Sequence, residues 1–277
     1  MEKEKTKSLF SLTDKVIVIT GGNGVLGSEI ACSLAERGAR PAILDLKTEL
    51  AEDFKARLNN SKSDYEVYAC DVLNKESIDE CKDKILKRFG KIDILINGAG
   101  GNHPKSTTSA DQSFFDIPAD AFNWVMQLNL GGTVLPSQVF GKRFAEQGYG
   151  NILNISSMNA FRPLTRIPAY SAAKAAVSNF TQWLAVHMAQ DYSQNIRVNA
   201  IAPGFFLTNQ NRFLLTDEKT GEPTKRGKSI IEHTPMGRYG NPDDLIGTIV
   251  WLLSDASAFV SGIVVPIDGG FSAFSGV

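Results

Sequence analysis

A chain of 277 residues, 43% hydrophobic and 21% charged, has the size and composition to close one sizeable core. Its formal net charge of −1 excludes the broad basic field that draws a protein to nucleic acid or to an anionic membrane. No run approaches the ~18 apolar residues of a membrane span. The opening MEKEKTK is charged and leads into no apolar signal-peptide core, so a cytoplasmic location is expected. Cys32, Cys70 and Cys81 form no CxxC pair and no ligand cluster, so reduced core thiols and no metal centre are expected.

Residues 15–20 (KVIVIT) are a short β-branched run that reads as a first strand. It delivers the chain into Gly21, Gly22, Asn23, Gly24, Val25, Leu26 and Gly27. Leu26, Ile30 and Leu34 then recur on one helical face. Strand, glycine turn and helix start together make a phosphate cradle. Glycines admit a pyrophosphate close to the backbone, while the helix end offers free N–H groups and the positive end of its dipole. A glycine turn alone is more often only a turn; the flanking elements give this one its meaning.

Residues 42–46 read as a second strand carrying Asp45, eighteen residues past Gly27. A carboxylate there can hydrogen-bond an adenosine ribose and repel a 2′-phosphate, which favours NAD over NADP. Arg40 and Lys47 nearby soften that discrimination, and a solvated strand-end acid is the plainer alternative. Residues 66–70 make a third strand followed by Asp71 and Val72. The segment 74–89 places Ile78, Ile85, Leu86 and Phe89 at helical spacing, for packing alone. Residues 92–96 form a buried strand ending at Asn97, Gly98, Ala99 and Gly100, small residues that leave room for a ligand.

The loop 101–118 leaves the carboxyl end of a parallel strand, where ligands bind in open α/β sheets. Asn102, His103 and Lys105 are candidates for substrate contacts or simply exposed polar groups. Residues 120–147 read as one long helix holding Trp124, Leu128 and Asn129.

The run 152–155 is a further strand, and it ends in Ser156 and Ser157. Thirteen residues after Ser157 comes Tyr170, in YSAAKAAV, with Lys174 four residues later. On a helix over 169–190 the two share one face. An ammonium beside a phenol favours the phenolate and can bring its pKa down towards neutrality, which makes Tyr170 a usable general acid or base. Ser157 is placed to meet the same substrate oxygen. A Tyr and Lys at this spacing are commonplace alone; the strand-end serines and the glycine turn upstream give the pair its weight. His187, further along this helix, reads as core or interface.

Residues 196–201 form another strand, leading into Pro203, Gly204, Phe205, Phe206, Leu207 and Thr208. Asn209, Asn211 and Arg212 follow, then a polar stretch, and the whole of 205–236 reads as a lid over substrate. A helix over 243–253 and a strand over 263–267 complete the chain.

Alternating strand and helix signals imply an α/β protein with a doubly wound, mostly parallel sheet, in one domain over 1–277. The glycine turn, the strand-end serines, YSAAK and Pro203-Gly204 stand in the order that resembles the short-chain dehydrogenase/reductase family, over about residues 10–272. That resemblance implies a Rossmann-type fold and reversible hydride transfer between a nicotinamide cofactor and a secondary alcohol or ketone. It implies Tyr170 as proton donor, Ser157 as partner of the substrate oxygen, and Lys174 as support for Tyr170 and for the ribose. Asn129 corresponds to the Asn that holds a relay water. Asp71 corresponds to the adenine contact, Asn97 through Gly100 to the NNAG turn, and Pro203 through Thr208 to PGxxxT, which holds the carboxamide. One departure is plain: TGxxxGxG wants glycine at 25, where this protein has Val25 and places Gly24 one position early. The resemblance also implies a homodimer or homotetramer, assembled through the helices over 120–147 and 169–190.

GGNHP, the stretch from Ser156 to Ala189 and PGFFLTNQNRFLL look like the D-mannonate oxidoreductases (fructuronate reductases) of that family. A sugar acid needs hydroxyl partners and a cation; Asn102, His103, Asn159, Asn209, Asn211 and Arg212 supply both, and Arg162 and Arg166 are further cationic candidates. A gluconate 5-dehydrogenase-like or other polyol enzyme is the alternative. A 3-ketoacyl reductase fits less well, because an acyl pocket is more apolar. A non-catalytic NAD-binding regulator would fit a sequence lacking Tyr170 or Lys174; both are present.

Overall fold

The computed structural model describes residues 9–207, 215–217 and 220–276. Its first strand, β1 (Val16–Thr20), is buried at every position. The chain then alternates: α1 (Val25–Ala35), β2 (Arg40–Asp45), α2 (Glu52–Ser61), β3 (Glu66–Ala69), α3 (Lys75–Phe89) and β4 (Ile94–Asn97). After the loop come α4 (Ala119–Met126), α5 (Gly132–Gln147), β5 (Gly150–Ile155), α6 (Pro168–Asp191) and β6 (Ile196–Pro203). The described residues end with α7 (Lys225–Glu232), α8 (Ile246–Leu253) and β7 (Val264–Ile267). These strands form one parallel sheet in the order β3-β2-β1-β4-β5-β6-β7.

Helices cover both faces, which explains why the central strands read as unbroken apolar runs. Along β1 the side chains alternate between two cores. Ile17 and Ile19 pack with Leu34 and Ile43 on one face, while Val16 and Val18 pack with Phe140 and Phe144 on the other. The start of β1 is pinned by Asp93, whose carboxylate accepts the Val16 N–H at 2.8 Å and an ion pair from Lys91 at 3.0 Å.

β1 pairs with β2 on one side and β4 on the other, so the chain reverses its winding there. The carboxyl ends of β1 and β4 therefore open a crevice at the switch point, the usual ligand position in such sheets. Thr20 lines up with Asn97 across this seam, and its Oγ1 accepts the N–H groups of Gly98 and Ala99 at 3.1 and 3.3 Å.

One expectation is corrected here. The span 120–147 is not one helix: α4 and α5 are joined by a π-helical turn, Gln127–Gly131. Pro136 inside α5 has no N–H to donate, and the wide turn places Asn129 so that its Nδ2 donates to the Val125 carbonyl at 2.8 Å. The helix α2 was also missed, because it buries only Phe54 and Leu58 and gives little periodicity. Among the described residues no helix is long and apolar enough to cross a membrane, and no group of three or more His, Cys, Asp or Glu converges as a metal site. All three cysteines are buried and free.

Candidate active site

The glycine turn is built by close approach. Gly21 has φ +64°, and a Cβ there would fall 2.8 Å from the Ala99 Cα. A Cβ on Gly27 would lie 2.3 Å from the Gly21 carbonyl oxygen. A side chain at Gly21 would push the turn off the backbone after β4, and one at Gly27 would push α1 off the turn. The departure at 25 is absorbed because α1 begins at Val25 itself, with Gly24 as its cap. First-turn N–H groups of a helix have no partner within it and form an anion site.

Asp45 ends β2 beside this turn and accepts the Asn23 backbone N–H at 3.1 Å. The Asn23 amide donates to the carbonyls of Lys47 and Glu49, at 3.3 and 2.9 Å. Asn23 thus braces the segment after β2 with its side chain.

A cleft of about 740 Å³ runs along the carboxyl ends of the strands. Gly21, Gly24, Val25, Leu26, Gly27, Asp45, Asp71, Val72, Gly98, Ala99 and Gly100 line it. Ser157, Tyr170, Pro203, Gly204 and Phe206 line it as well. Phe205 also faces it, as do Leu46, Cys70, Leu73, Trp124 and Leu128, which sequence reasoning had not placed at the site. Apolar residues on a strand end or helix read as packing, so only the topology could have found them.

Asn97 is corrected: its side chain is buried in the core, where Nδ2 donates to Ser137 Oγ and Asn154 Oδ1 at 2.9 and 2.8 Å. Thr208, Asn209, Asn211 and Arg212 lie outside the described residues, as does part of the expected lid. Within the lid the described residues include α7 and a bridge between Phe206 and Gly240.

Ser157 leaves β5 at the start of a short 3-10 turn, Met158–Ala160, and its Oγ accepts the Asn159 N–H at 3.3 Å. Ser157 and Tyr170 line the same cleft, and the Ser157 hydroxyl favours the charged form of the Tyr170 phenol. Ser156 ties β5 to α6, donating to the Lys174 carbonyl at 3.0 Å and meeting Ser178 Oγ at 2.7 Å. Lys174 is buried, its Nζ donates to the Ile155 carbonyl at 2.7 Å, and it sits 5.6 Å from the centre of the Tyr170 ring. A Cβ on Gly100 would fall 2.7 Å from Asn129 Oδ1 and 3.3 Å from Lys174 Nζ, so both flank one backbone position. Asn129 itself clamps Gly101, accepting its N–H at 3.2 Å and donating to its carbonyl at 2.7 Å.

The expected lowering of the Tyr170 pKa is corrected for the protein alone: burial raises it, and the Ser157 hydroxyl offsets this only in part. The same burial lowers Lys174 to about 8. Asn159 is buried, and its Oδ1 finds no partner among the described residues. His103 lies off the cleft wall, with Nδ1 accepting the Lys105 N–H at 3.1 Å and its ring against Trp124. Arg162 donates from Nε to the Ser272 carbonyl at 3.2 Å, holding the C-terminal segment.

Residues 23–272 match the family described as Enoyl-(Acyl carrier protein) reductase. The protein belongs to the short-chain dehydrogenase/reductase family, oxidoreductases that use NAD or NADP on alcohol groups. Within it, the protein is similar to a Haemophilus influenzae protein assigned provisionally as a D-mannonate oxidoreductase and solved with bound NAD. That similarity is 47% identity with a TM-score of 0.89, covering 98% of this chain and 100% of that one. It is 47% identical to the Bacillus subtilis uncharacterized oxidoreductase UxuB, over 96% of this chain and 98% of that protein. It is also 35% identical to the Escherichia coli 2-dehydro-3-deoxy-D-gluconate 5-dehydrogenase, over 96% of this chain and 98% of that enzyme.

The cleft fits a dinucleotide, with a side-chain-free cradle at Gly21 and Gly27, an acid at Asp45 and a floor of small residues from Gly98 to Gly100.

Proposed function

We propose that the protein is an NAD-dependent oxidoreductase that interconverts a keto sugar acid and its hydroxy acid, D-fructuronate and D-mannonate first among them. The observation that carries the reaction class is Ser157 and Tyr170 together on the wall of one cleft, with Lys174 buried beside the Tyr170 ring. The similarity to the Haemophilus influenzae protein supports both the substrate and NAD, and Asp45 at the end of β2 supports NAD over NADP.

Bound in the cleft, the nicotinamide supplies or accepts the hydride. The cradle at Gly21–Gly27 holds the pyrophosphate, Asp45 the ribose, Asp71 and Val72 the adenine edge, and Pro203 through Thr208 the carboxamide. In reduction Tyr170 Oη gives its proton to the substrate carbonyl oxygen, and Ser157 Oγ donates a second hydrogen bond to it. In oxidation the proton returns to Tyr170. Lys174 holds positive charge behind the phenol, and Asn129 keeps the Gly100–Gly101 backbone in place beside it. Asn159 and Asn209 are assigned to the substrate end, and Arg212 to the carboxylate.

The similarity to the 2-dehydro-3-deoxy-D-gluconate 5-dehydrogenase favours a second reading, oxidation at C5 of a related acid, with the same catalytic groups. A spectrophotometric screen of NADH oxidation separates them. D-fructuronate turned over in preference to 5-keto-D-gluconate supports the first reading; the reverse order replaces it, and no turnover of either removes both.

We propose further that copies associate through a groove of about 680 Å³ between α5 and α6, where Phe180, Trp183 and His187 stack and Trp183 is 56% exposed. Light scattering tests it: Trp183→Glu yields a monomer if this face holds the oligomer, and an unchanged mass places the interface elsewhere.

A further inference from the structure

We propose that Trp124 is the residue that selects polyhydroxylated carbon chains, by stacking its indole on their C–H faces, and that His103 sets the angle of the indole. The proposal rests on the keto sugar acid reading for the identity of the molecule it stacks on.

Trp124 leaves α4 on the cleft wall, which it shares with Leu128, Ser157 and Tyr170. It keeps 43% of its surface exposed. A single exposed apolar side chain needs no explanation by itself. An indole on the wall of the cleft that also holds Ser157 and Tyr170 is a different matter, because it gives that cleft a large flat apolar face. Its π face is electron-rich, and the C–H groups of a sugar carry small positive charge, made larger by their neighbouring oxygens. A carbon skeleton whose hydroxyls point away from the wall offers such a face to the indole.

The indole does not stand free. The His103 ring meets it edge-on, with centroids 5.4 Å apart and planes at 67°. His103 is itself fixed, because its Nδ1 accepts the Lys105 N–H at 3.1 Å. That bond leaves the proton of the neutral imidazole on Nε2. The loop around it is tied down as well. Asn102 Nδ2 donates to Thr107 Oγ1 at 2.8 Å, Thr107 Oγ1 donates to the His103 carbonyl at 3.2 Å, and the Thr108 N–H reaches the Arg166 carbonyl at 2.9 Å. The last of these joins the loop to the segment leading into Tyr170. His103 is thus a positioning residue and Trp124 the wall that meets substrate.

The test uses the full-length protein labelled with 5-fluorotryptophan, the Trp124 resonance being identified by its loss in Trp124→Phe. D-mannonate is titrated with NAD present, and steady-state constants are measured for the variants. Trp124→Leu, which keeps apolar bulk without a π face, raises the D-mannonate KM about 3- to 10-fold, while the NAD KM holds and Trp124→Phe stays within about twofold. The Trp124 resonance moves on adding D-mannonate. Turnover of D-mannonate with an unmoved resonance and an unchanged KM in Trp124→Leu overturns the platform. No turnover of any sugar acid by the unmodified protein overturns the substrate reading alone. The resonance is then followed against xylitol and glycerol, where a shift supports the platform and none overturns it. His103→Phe, which keeps a ring edge against the indole, retains the KM that His103→Ala loses. Equal losses in both overturn the positioning role and make His103 Nε2 a direct substrate donor.

Discussion

Lys174 directs one of its three N–H donors to the carbonyl of Ile155, 2.7 Å away. The ammonium is thereby anchored to the end of β5, one residue before the two serines, and its position does not depend on Tyr170. Ser156 closes the same joint from the other side, through the Lys174 carbonyl. The catalytic pair is therefore set by a strand-to-helix junction, and the two side chains have separable roles.

Tyr170→Phe is expected to abolish turnover and leave NADH binding within about twofold, since only the proton donor goes; loss of general acid–base action alone is a factor of about 10²–10⁴. Lys174→Ala is expected to lower both rate and NADH affinity. Turnover by Tyr170→Phe above a tenth of the unmodified rate, about ten times what loss of the acid allows, would place the proton donor elsewhere. Fluorescence titration with NADH gives the binding half of the comparison.

Burial lowers Lys174 from 10.5 to about 8, so the sign of its effect on stability is fixed. Below pH 8 the folded protein carries a buried charge that the unfolded state keeps in water, and this cost fades as pH rises from 8 towards 10.5. Lys174→Met is expected to raise Tm at pH 7 while destroying activity, and the gain is expected to shrink above pH 8. A gain that stays constant across this range would mean that the ammonium is not desolvated. In the unmodified enzyme, alcohol oxidation should rise with pH, because it needs the phenolate of Tyr170, whose pKa burial raises.

Asp45 has two partners to serve, the Asn23 N–H and a ribose, and one charge with which to repel a 2′-phosphate. Asp45→Asn keeps an acceptor for Asn23 and removes the charge. NADPH efficiency is expected to rise against NADH by about 1–3 kcal/mol, roughly 5- to 150-fold. Equal use of both cofactors before mutation would count against the assignment.

Gly27→Ala is expected to lose NADH binding and several degrees of Tm together, because its Cβ would lie 2.3 Å from the Gly21 oxygen. Overpacking of this kind costs about 1–3 kcal/mol. Differential scanning calorimetry with and without NADH reads both effects.

The parallel sheet was legible because strands buried on both faces show as apolar runs such as VIVIT and ILIN. Ser157, Tyr170 and Lys174 were legible because their chemistry is carried by residue type at fixed spacing. Asn97 was misread for a related reason: it stands at the right place in the sequence, but the pleat of β4 turns its amide into the core towards Asn154. Trp124 was passed over because an aromatic on a helix reads as packing, and only the sheet's switch point makes its face a wall. The break at Gln127–Gly131 left no composition signal, since a π turn adds one residue to an otherwise helical stretch.

The substrate carboxylate gives the last prediction. Arg162, Arg166 and Arg212 are the candidate cations, and the structure gives Arg162 a partner of its own. Arg162 Nε holds the Ser272 carbonyl, and the C-terminal segment it secures also carries Phe271 against Phe205, a residue of the cleft wall. Arg162→Ala should loosen that wall and lower efficiency on every substrate, charged or neutral. Arg212, in the segment after Thr208, is assigned the charge contact. Arg212→Ala should weaken D-fructuronate by about 1.5–3 kcal/mol, the usual loss for a hydrogen bond to a charged group. A neutral keto-sugar of the same length should lose much less. The decisive quantity is the ratio of kcat/KM for acid over neutral substrate in each variant. A ratio that falls only in Arg212→Ala assigns the carboxylate to the lid; one that falls only in Arg162→Ala moves it to the turn after Ser157. A ratio unchanged in both leaves Arg166, two residues before α6, as the remaining cation of that segment and the next to substitute.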